Sequence, residues 1–533
     1  MEVKMCHLIK FSPKLKVFLT AVLLLFIFSI TFGVCACDNE SPQKKEAVLS
    51  FSLSYEEKSV SFGTSLRDAL SDLAVYLDGQ PISVSELSFD SDYDEYTPAK
   101  YVVTVKYGTF SAKLFLRVQK KQDENDDFEN LKRLDDVAND YYDSACIPST
   151  GNVELAVIPI GFSDRHYDGV SDLLEKAFNG TEEDTGWNSL RSFYEKSSYG
   201  KLHLHATFFP TYETGLAWDE NADYFYYQRM IGDVISFGGY DLDARFDSDS
   251  DGFLDCVYFI YLAPWRECDE LSPWWAYTDR DIQIMQILSD DPTEMPPQLG
   301  ACVWMSIEFF DELYSVFEGT ERKISTGVLI HETGHALGLP DYYDVNGSYP
   351  GVGFLNTMGG THGDHDPFSK AILGWTDPTF VLTSYSEKIL TPFEASGDTI
   401  LITKSDAKTL FDEAFVFCFF TPTGVFEKDA GKQGVFSKSG VLIYHISAKL
   451  RAPMNGSIPN IYLHNNSEPP FLIRVCEADA NNSIDRTGLT SNEDLFSEGA
   501  TFSPKWDDGS SAGFTLRVLS VSESQATLSI IIK

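Results

Sequence analysis

Basic residues are scarce in this chain. Its 533 residues carry 41 Lys and Arg against 80 Asp and Glu, a formal net charge of −39. That balance argues against a nucleic-acid partner, because phosphate binding needs a basic face that displaces counterions. The nine cysteines include no C-x-x-C pair, which removes a cysteine-based zinc ribbon from the expectations. No repeat period stands out, so a solenoid or array is not expected. Nor is there a disorder-like bias: 43% hydrophobic, 14% aromatic and 23% charged is a globular composition. The length exceeds what one core can serve, so about three domains are expected. The acidic surplus itself keeps such a chain soluble and suits it to holding cations.

The N-terminus has the layout of an export signal over residues 1–37. Lys4, Lys10, Lys14 and Lys16 precede the apolar run VFLTAVLLLFIFSITFGV (17–34), and small residues and cysteines follow. Ala36 directly before Cys37, with Val34 further back, resembles the lipobox of bacterial lipoproteins. Cys37 is therefore the lipidation candidate, and the protein is expected at the bacterial cell surface or secreted. Plain cleavage after Ala36 and an uncleaved anchor helix are the alternatives, since the run is just long enough to span. Membrane contact is expected only through this segment.

A polar tether (38–47) leads into a strand-rich stretch over 48–120. There YVVTVKY (101–107) and SAKLFLRV (111–118) flank Gly108-Thr109, the pattern of a hairpin with a short loop. This stretch resembles bacterial immunoglobulin-like surface domains, which implies a spacer or adhesin. A charged linker (121–151) follows. Residues 152–380 mix helix and strand patterns. VELAVIPIGFSD (153–164) and CVYFIYLA (256–263) read as buried strands, and WNSLRSFYEKSSYGKLHLHATFFP (187–210) as a helix, Gly200, then a strand. From 381 to 533 the runs GVLIYHIS, PFLIRVCEA, FTLRVLSV and ATLSIIIK indicate an all-β C-terminal domain. The expected fold class is thus multidomain: all-β Ig-like, then α/β, then all-β. Six cysteines lie beyond the signal. Cys256 and Cys268 could bridge, while Cys418 and Cys476 in apolar runs read as buried small hydrophobes.

One string concentrates the chemistry: HETGHALGLPDYYD (331–344). Residues four apart share a helix face, so His331 and His335 can offer nitrogens to one metal ion. Glu332, one step round, is placed to take a proton from water rather than a ligand position. Ser325 or Thr326 is the expected N-cap. Gly338 permits the left-handed turn that folds the chain back, and Pro340 stops the helix from resuming. Asp341 then stands where the long H-E-x-x-H-x-x-G-x-x-H motif has its last ligand, and a carboxylate is an ordinary zinc ligand. With 10 histidines in the chain, a chance H-E-x-x-H is expected on the order of once in a hundred such sequences.

Together with GFLNTMGG (353–360) and PFSKAILGW (367–375), this string resembles the immune inhibitor A-type secreted metalloproteases, of the metzincin class. The resemblance extends upstream through AVIPIGFSD, SFYEKSSYGKL and DSDSDGFLDCVYFIY, and more weakly downstream through GVLIYHIS. It covers about 152–380 well and the C-terminal part loosely. It implies zinc on His331, His335 and Asp341, Glu332 as base, Met358 as the Met-turn residue beneath the metal, and a protein or peptide substrate. Some metzincins carry a tyrosine two residues after that methionine; Gly360 stands there instead. His362, His365, Tyr342 and Tyr343 are the candidates for that oxyanion-supporting role. The HGDH stretch (362–365) otherwise reads as a polar surface loop.

A second cation site is expected at DSDSDGFLD (247–255). Asp247, Asp249, Asp251 and Asp255 occupy positions one, three, five and nine, with Gly252 at six and the Phe253 carbonyl at seven. That spacing wraps oxygens round a calcium ion, although position twelve is Tyr258 rather than glutamate. The loop also resembles a calcium-binding loop of the same protease family. The leading expectation is an exported zinc endopeptidase. A surface binding protein on an inactive protease scaffold, and a metal-dependent glycan-active enzyme, are the competing readings.

Overall fold

The computed structural model describes residues 51–118 (except 56, 61–63, 92 and 94–99), 147–265 (except 224), 272–279, 297–311, 323–343, 351–449 (except 405, 406, 408 and 433) and 470–533. The expected export segment with Cys37, and Cys268 of the suggested bridge, lie outside these. Among the described residues no helix is long and apolar enough to cross a membrane. Among the described residues strand (32%) outweighs helix (23%), and the chain divides into two compact units, residues 1–126 and 127–533.

The first unit is built of two sheets. Phe51–Leu53, Val75–Leu77 and Gln80–Ile82 form one antiparallel sheet. In the other, Phe110–Val118 pairs with Lys100–Tyr107 on one side and, in parallel, with Glu57–Val60 on the other. The hairpin is the one the sequence predicts: Tyr107 faces Phe110 across a two-residue loop in which Gly108 has φ +57°. Alternation buries Tyr101, Val103 and Val105 against Leu114 and Leu116.

The second unit begins with a mixed sheet. Gly151–Gly161 pairs in parallel with Val257–Tyr261, which pairs in parallel with Cys302–Ser306; Tyr277–Asp279 closes that edge antiparallel. The opposite edge of Gly151–Gly161 is shared by Leu202–Phe208 and Tyr212–Glu213. Parallel strands need helical cover on their faces. Val170–Asn179 and Leu190–Ser197 supply part of it through Leu174, Phe178, Phe193 and Tyr194. The expected helix, glycine, strand succession is present: Gly200, at φ +72°, links Leu190–Ser197 to Leu202–Phe208.

The C-terminal strands are all-β, yet they do not stand apart as the separate domain expected from 381. They fall in the same compact unit as residues 152–380. The strand Ala414–Phe420 is buried at every position. Ala414, Val416, Cys418 and Phe420 enter the core that also holds Leu329, Ile330 and Met358, while Phe415, Phe417 and Phe419 enter a second core. That second core is closed by a four-stranded antiparallel sheet that includes Phe514–Val521 and Ala526–Ile532. Residues alternate across a strand, so a sheet covered on both faces must be apolar on both. This double burial explains the unbroken AFVFCFF run.

Candidate metal centre

The motif helix spans Gly327–Ala336, and all its residues except Val328 and His335 are buried. It is held by hydroxyls from its surroundings: Tyr194 donates to the Ile330 carbonyl at 2.8 Å, and Tyr258 lies 2.8 Å from the Thr333 hydroxyl. Thr326 occupies the N-cap position, as expected, but its hydroxyl donates to the Asn188 carbonyl at 2.6 Å rather than capping the helix. At the other end Gly338 has φ +93°, and the Leu339 amide returns to the Gly334 carbonyl. The helix therefore ends in a left-handed turn that carries Asp341 back toward its own histidines.

The three expected ligand residues converge. His331 Nε2 lies 3.1 Å from Asp341 Oδ1, and His335 Nε2 lies 3.3 Å from the same oxygen. Each ring is fixed through its other nitrogen: His331 Nδ1 is 2.8 Å from the Thr357 carbonyl, and His335 Nδ1 is 2.8 Å from the Leu339 carbonyl. Donation from Nδ1–H to these carbonyls fixes the ring orientations and turns both Nε2 atoms inward.

Two observations bear on whether a metal ion fits. Asp341 Oδ1 is buried without a hydrogen-bond partner even though two imidazoles are that close. The three atoms thus point at a shared centre more than at each other. Second, two ligands about 2.0–2.1 Å from one tetrahedral ion lie about 3.3 Å apart, which matches both separations.

The charges agree with this arrangement. Burial alone would lower the His331 pKa, but Asp341, Glu332 and the Thr357 carbonyl outweigh it and raise the pKa to about 9. Burial likewise opposes ionisation of Asp341, and the facing imidazoles override it, holding that carboxyl far below the usual range. In the ion-free protein His331 therefore carries a proton at neutral pH that a metal must displace. Metal uptake at pH 7.5 is expected to release about one proton from it, falling toward none above pH 9. Calorimetry in buffers of different ionisation enthalpy measures this; equal heats in all buffers would contradict it.

Met358, the expected Met-turn residue, is fully buried beneath the helix. A methyl group added at Gly334 would sit 2.3 Å from its sulfur, so the glycine is needed for that close approach. The HGDH stretch is not the surface loop that its polarity suggests. His362, Asp364 and His365 are all buried, because Asp364 pairs with Lys370 at 2.6 Å and also takes the Ser197 hydroxyl. Lys370 is itself fully buried and lies over the Tyr199 ring. Through its carbonyl Asp364 also receives the Thr357 amide, so this ion pair backs the peptide that orients His331. His365 sits among Phe193, Tyr194 and Trp375, where burial pushes its pKa down to about 3. Tyr342 is buried against the Ser369 hydroxyl. Of the four candidates for oxyanion support, Tyr343 is the one beside the cluster. Its ring stacks on His331, and burial together with Asp341 raises its pKa well above the ordinary value.

Glu332 is 6% exposed, and Thr278 on the edge strand donates to it. Sequence reasoning missed Thr278, the Thr357 and Leu339 carbonyls and the Asp364–Lys370 pair. Thr278 and the Thr357 carbonyl carried no local signal, since their partners lie 54 and 26 positions away, whereas Leu339 is four residues from His335 and Asp364 six from Lys370.

In the second expected site, Asp247, Asp249 and Asp251 bring one oxygen each within 4.8 Å of one another. Gly252 makes the turn at φ +92°, and the amides of Asp251 and Gly252 return to Asp247. Asp255 departs from the expectation: its carboxylate takes the Ser248 amide and hydroxyl instead of joining the three. Burial, then the charges of Asp249 and Asp247, push it up to about 7 despite those bonds. Phe253 leaves its side chain about half exposed and donates its amide to Asp251.

Two further groups have metal-like composition, Glu413–His445–Asp507 and Glu477–Asp479–Asp494. In the first, Lys404 on Glu413 and Arg474 on His445 already supply the positive charge. In the second, Glu477 is occupied by the Ser483 and Ile484 amides. The string GSSAG (509–513) has the letters of a serine nucleophile elbow, but the strand Phe514–Val521 follows it where an elbow has a helix. Compared with known proteins, the chain matches no family model and no curated sequence.

Proposed function

We propose that this chain is an exported zinc endopeptidase. One observation carries the reading: two imidazole Nε2 atoms lie 3.1 and 3.3 Å from one oxygen of the Asp341 carboxylate, the spacing of ligands on one tetrahedral ion, and Glu332 follows His331 on the helix that carries both histidines. Two nitrogens and one carboxylate oxygen are a zinc donor set, and three protein ligands are the number found where a fourth position serves chemistry. Zinc in that place would bring the pKa of a coordinated water to about 7 and polarise a carbonyl.

The chain's own residues supply the rest. Glu332 accepts a proton from water and delivers it to the departing amine, acting first as general base and then as general acid. His331 and His335 are oriented by main-chain carbonyls and so hold their geometry without rearrangement. Tyr343, whose ring stacks on His331, is the nearest candidate to donate a hydrogen bond to the developing oxyanion, for which its hydroxyl would turn from Asp341. A peptide substrate is favoured by the resemblance of the motif and its flanks to secreted metalloproteases. The export segment with Cys37 places the enzyme outside the cytoplasm, and residues 48–120 act as a spacer.

Cleavage profiling of a protein and peptide library, with and without a zinc chelator, tests the reading. Chelator-sensitive cleavage is expected. Zinc binding without hydrolysis would favour an inactive scaffold, and release of sugars alone a glycan-active enzyme.

The Asp247–Asp249–Asp251 loop is proposed to hold calcium as structural support, since three carboxylate oxygens and a glycine turn suit a hard cation. Calcium at about a hundred times its dissociation constant is expected to stabilise the protein by roughly 2.7 kcal/mol, and Asp249→Ala to lose that gain. Thermal unfolding with and without calcium reads the difference, and no shift in the unaltered protein would refute the site.

A further inference from the structure

We propose that Thr278 is a positioning residue that fixes the Glu332 carboxylate for proton transfer, an inference that rests on the hydrolase reading above. Thr278 is the middle residue of Tyr277–Asp279, the antiparallel edge strand beside Cys302–Ser306. Its hydroxyl lies 2.7 Å from Glu332 Oε2 and 2.8 Å from the Glu332 carbonyl oxygen. One side chain from a different element thus reaches both the main chain and the side chain of the base.

A glutamate has three rotatable side-chain bonds, and the helical backbone disfavours only one of the χ1 wells, which leaves several rotamers open at this position. A hydroxyl carries a single hydrogen, which goes preferentially to the ionised oxygen because charge-assisted bonds are the stronger ones. The same hydroxyl stays in contact with the carbonyl at the base of the side chain. Together these contacts hold the carboxylate at one rotamer, with one oxygen engaged and the other left for water. Proton transfer is sensitive to this, because a base must lie within hydrogen-bond reach of the proton it takes. Threonine rather than valine is required. Both are β-branched and suit an edge strand, but valine would remove the donor from a nearly buried carboxylate.

Crystal structures of the metal-free wild type, Thr278→Val and Thr278→Ser proteins, joined to kinetics on the zinc-loaded forms, test the assignment. In Thr278→Val the Glu332 side chain is expected to spread over more than one rotamer. The kcat for peptide hydrolysis should fall roughly tenfold while KM stays within about twofold. Bound zinc should equal that of the wild type. Thr278→Ser, which keeps the donor, should restore one rotamer and most of kcat. An unchanged Glu332 rotamer in Thr278→Val overturns the proposal, as does serine impaired as deeply as valine. A wild-type protein that binds zinc but cleaves no peptide would defeat the endopeptidase reading instead, and the rotamer comparison would still decide the role of Thr278.

Discussion

Replacing Glu332 with glutamine is expected to remove proteolysis while leaving bound zinc nearly unchanged. Glutamine keeps the shape and still accepts from Thr278, but it cannot take a proton from water. Loss of a positioned general base costs about 10²–10⁴-fold in rate. The proposed ligand atoms are His331 Nε2, His335 Nε2 and the Asp341 carboxylate, none of which the substitution touches. Metal analysis beside a cleavage assay checks both halves. Undiminished cleavage by Glu332→Gln would refute the assigned mechanism, and loss of metal would show that Glu332 is itself a ligand.

Asp341→Ala is expected to have the second large effect, and in the opposite sense: metal is lost first, and activity with it. Changing an outer-shell partner of a metal ligand typically costs about 10–100-fold in affinity, and removing a ligand should exceed that. The substitution also leaves His331 and His335 without the carboxylate that faces them. Metal content after dialysis against a weak chelator measures the outcome. Full occupancy would move the third ligand elsewhere. His362 and His365 are poor replacements, because both are buried in aromatic surroundings: His362 against Trp187, and His365 among Phe193, Tyr194 and Trp375.

The proposed ligands are close in the chain, while some of the groups that support the site come from far away. His331, His335 and Asp341 fall within eleven residues, and one helix with one turn suffices to bring them together. Thr278 and Glu332 are separated by 54 positions and Ser197 and Asp364 by 167. Those contacts exist because the edge strand and the helix Leu190–Ser197 pack against the motif helix and the Met358 turn.

The reading of HGDH as a surface loop failed for a related reason. Composition alone makes a run of histidine, glycine and aspartate look solvated. Its carboxylate is instead satisfied internally, Asp364 by Lys370, as is the following Asp366 by the Ser369 hydroxyl and amide, while both ring nitrogens of His365 are buried among aromatic rings without a hydrogen-bond partner. A buried ion pair of this kind is strongly destabilising to break, by about 3–5 kcal/mol when one partner is removed. Lys370 on its own looks like an ordinary exposed helix residue in PFSKAILGW.

Sequence by itself determined the local geometry: the i, i+4 histidines on one helix face, the glycine turn that returns Asp341, the Gly108 hairpin and the acidic loop closed by Gly252. Each follows from a fixed helical or strand period, or from a backbone angle that glycine adopts at little cost. Tertiary structure alone decided that residues 152–380 and the C-terminal strands form one compact unit, that AFVFCFF is buried on both faces, and that Thr278 meets Glu332. Those outcomes depend on which faces pack together. Packing is set by complementarity between segments far apart in the chain, which no local period encodes.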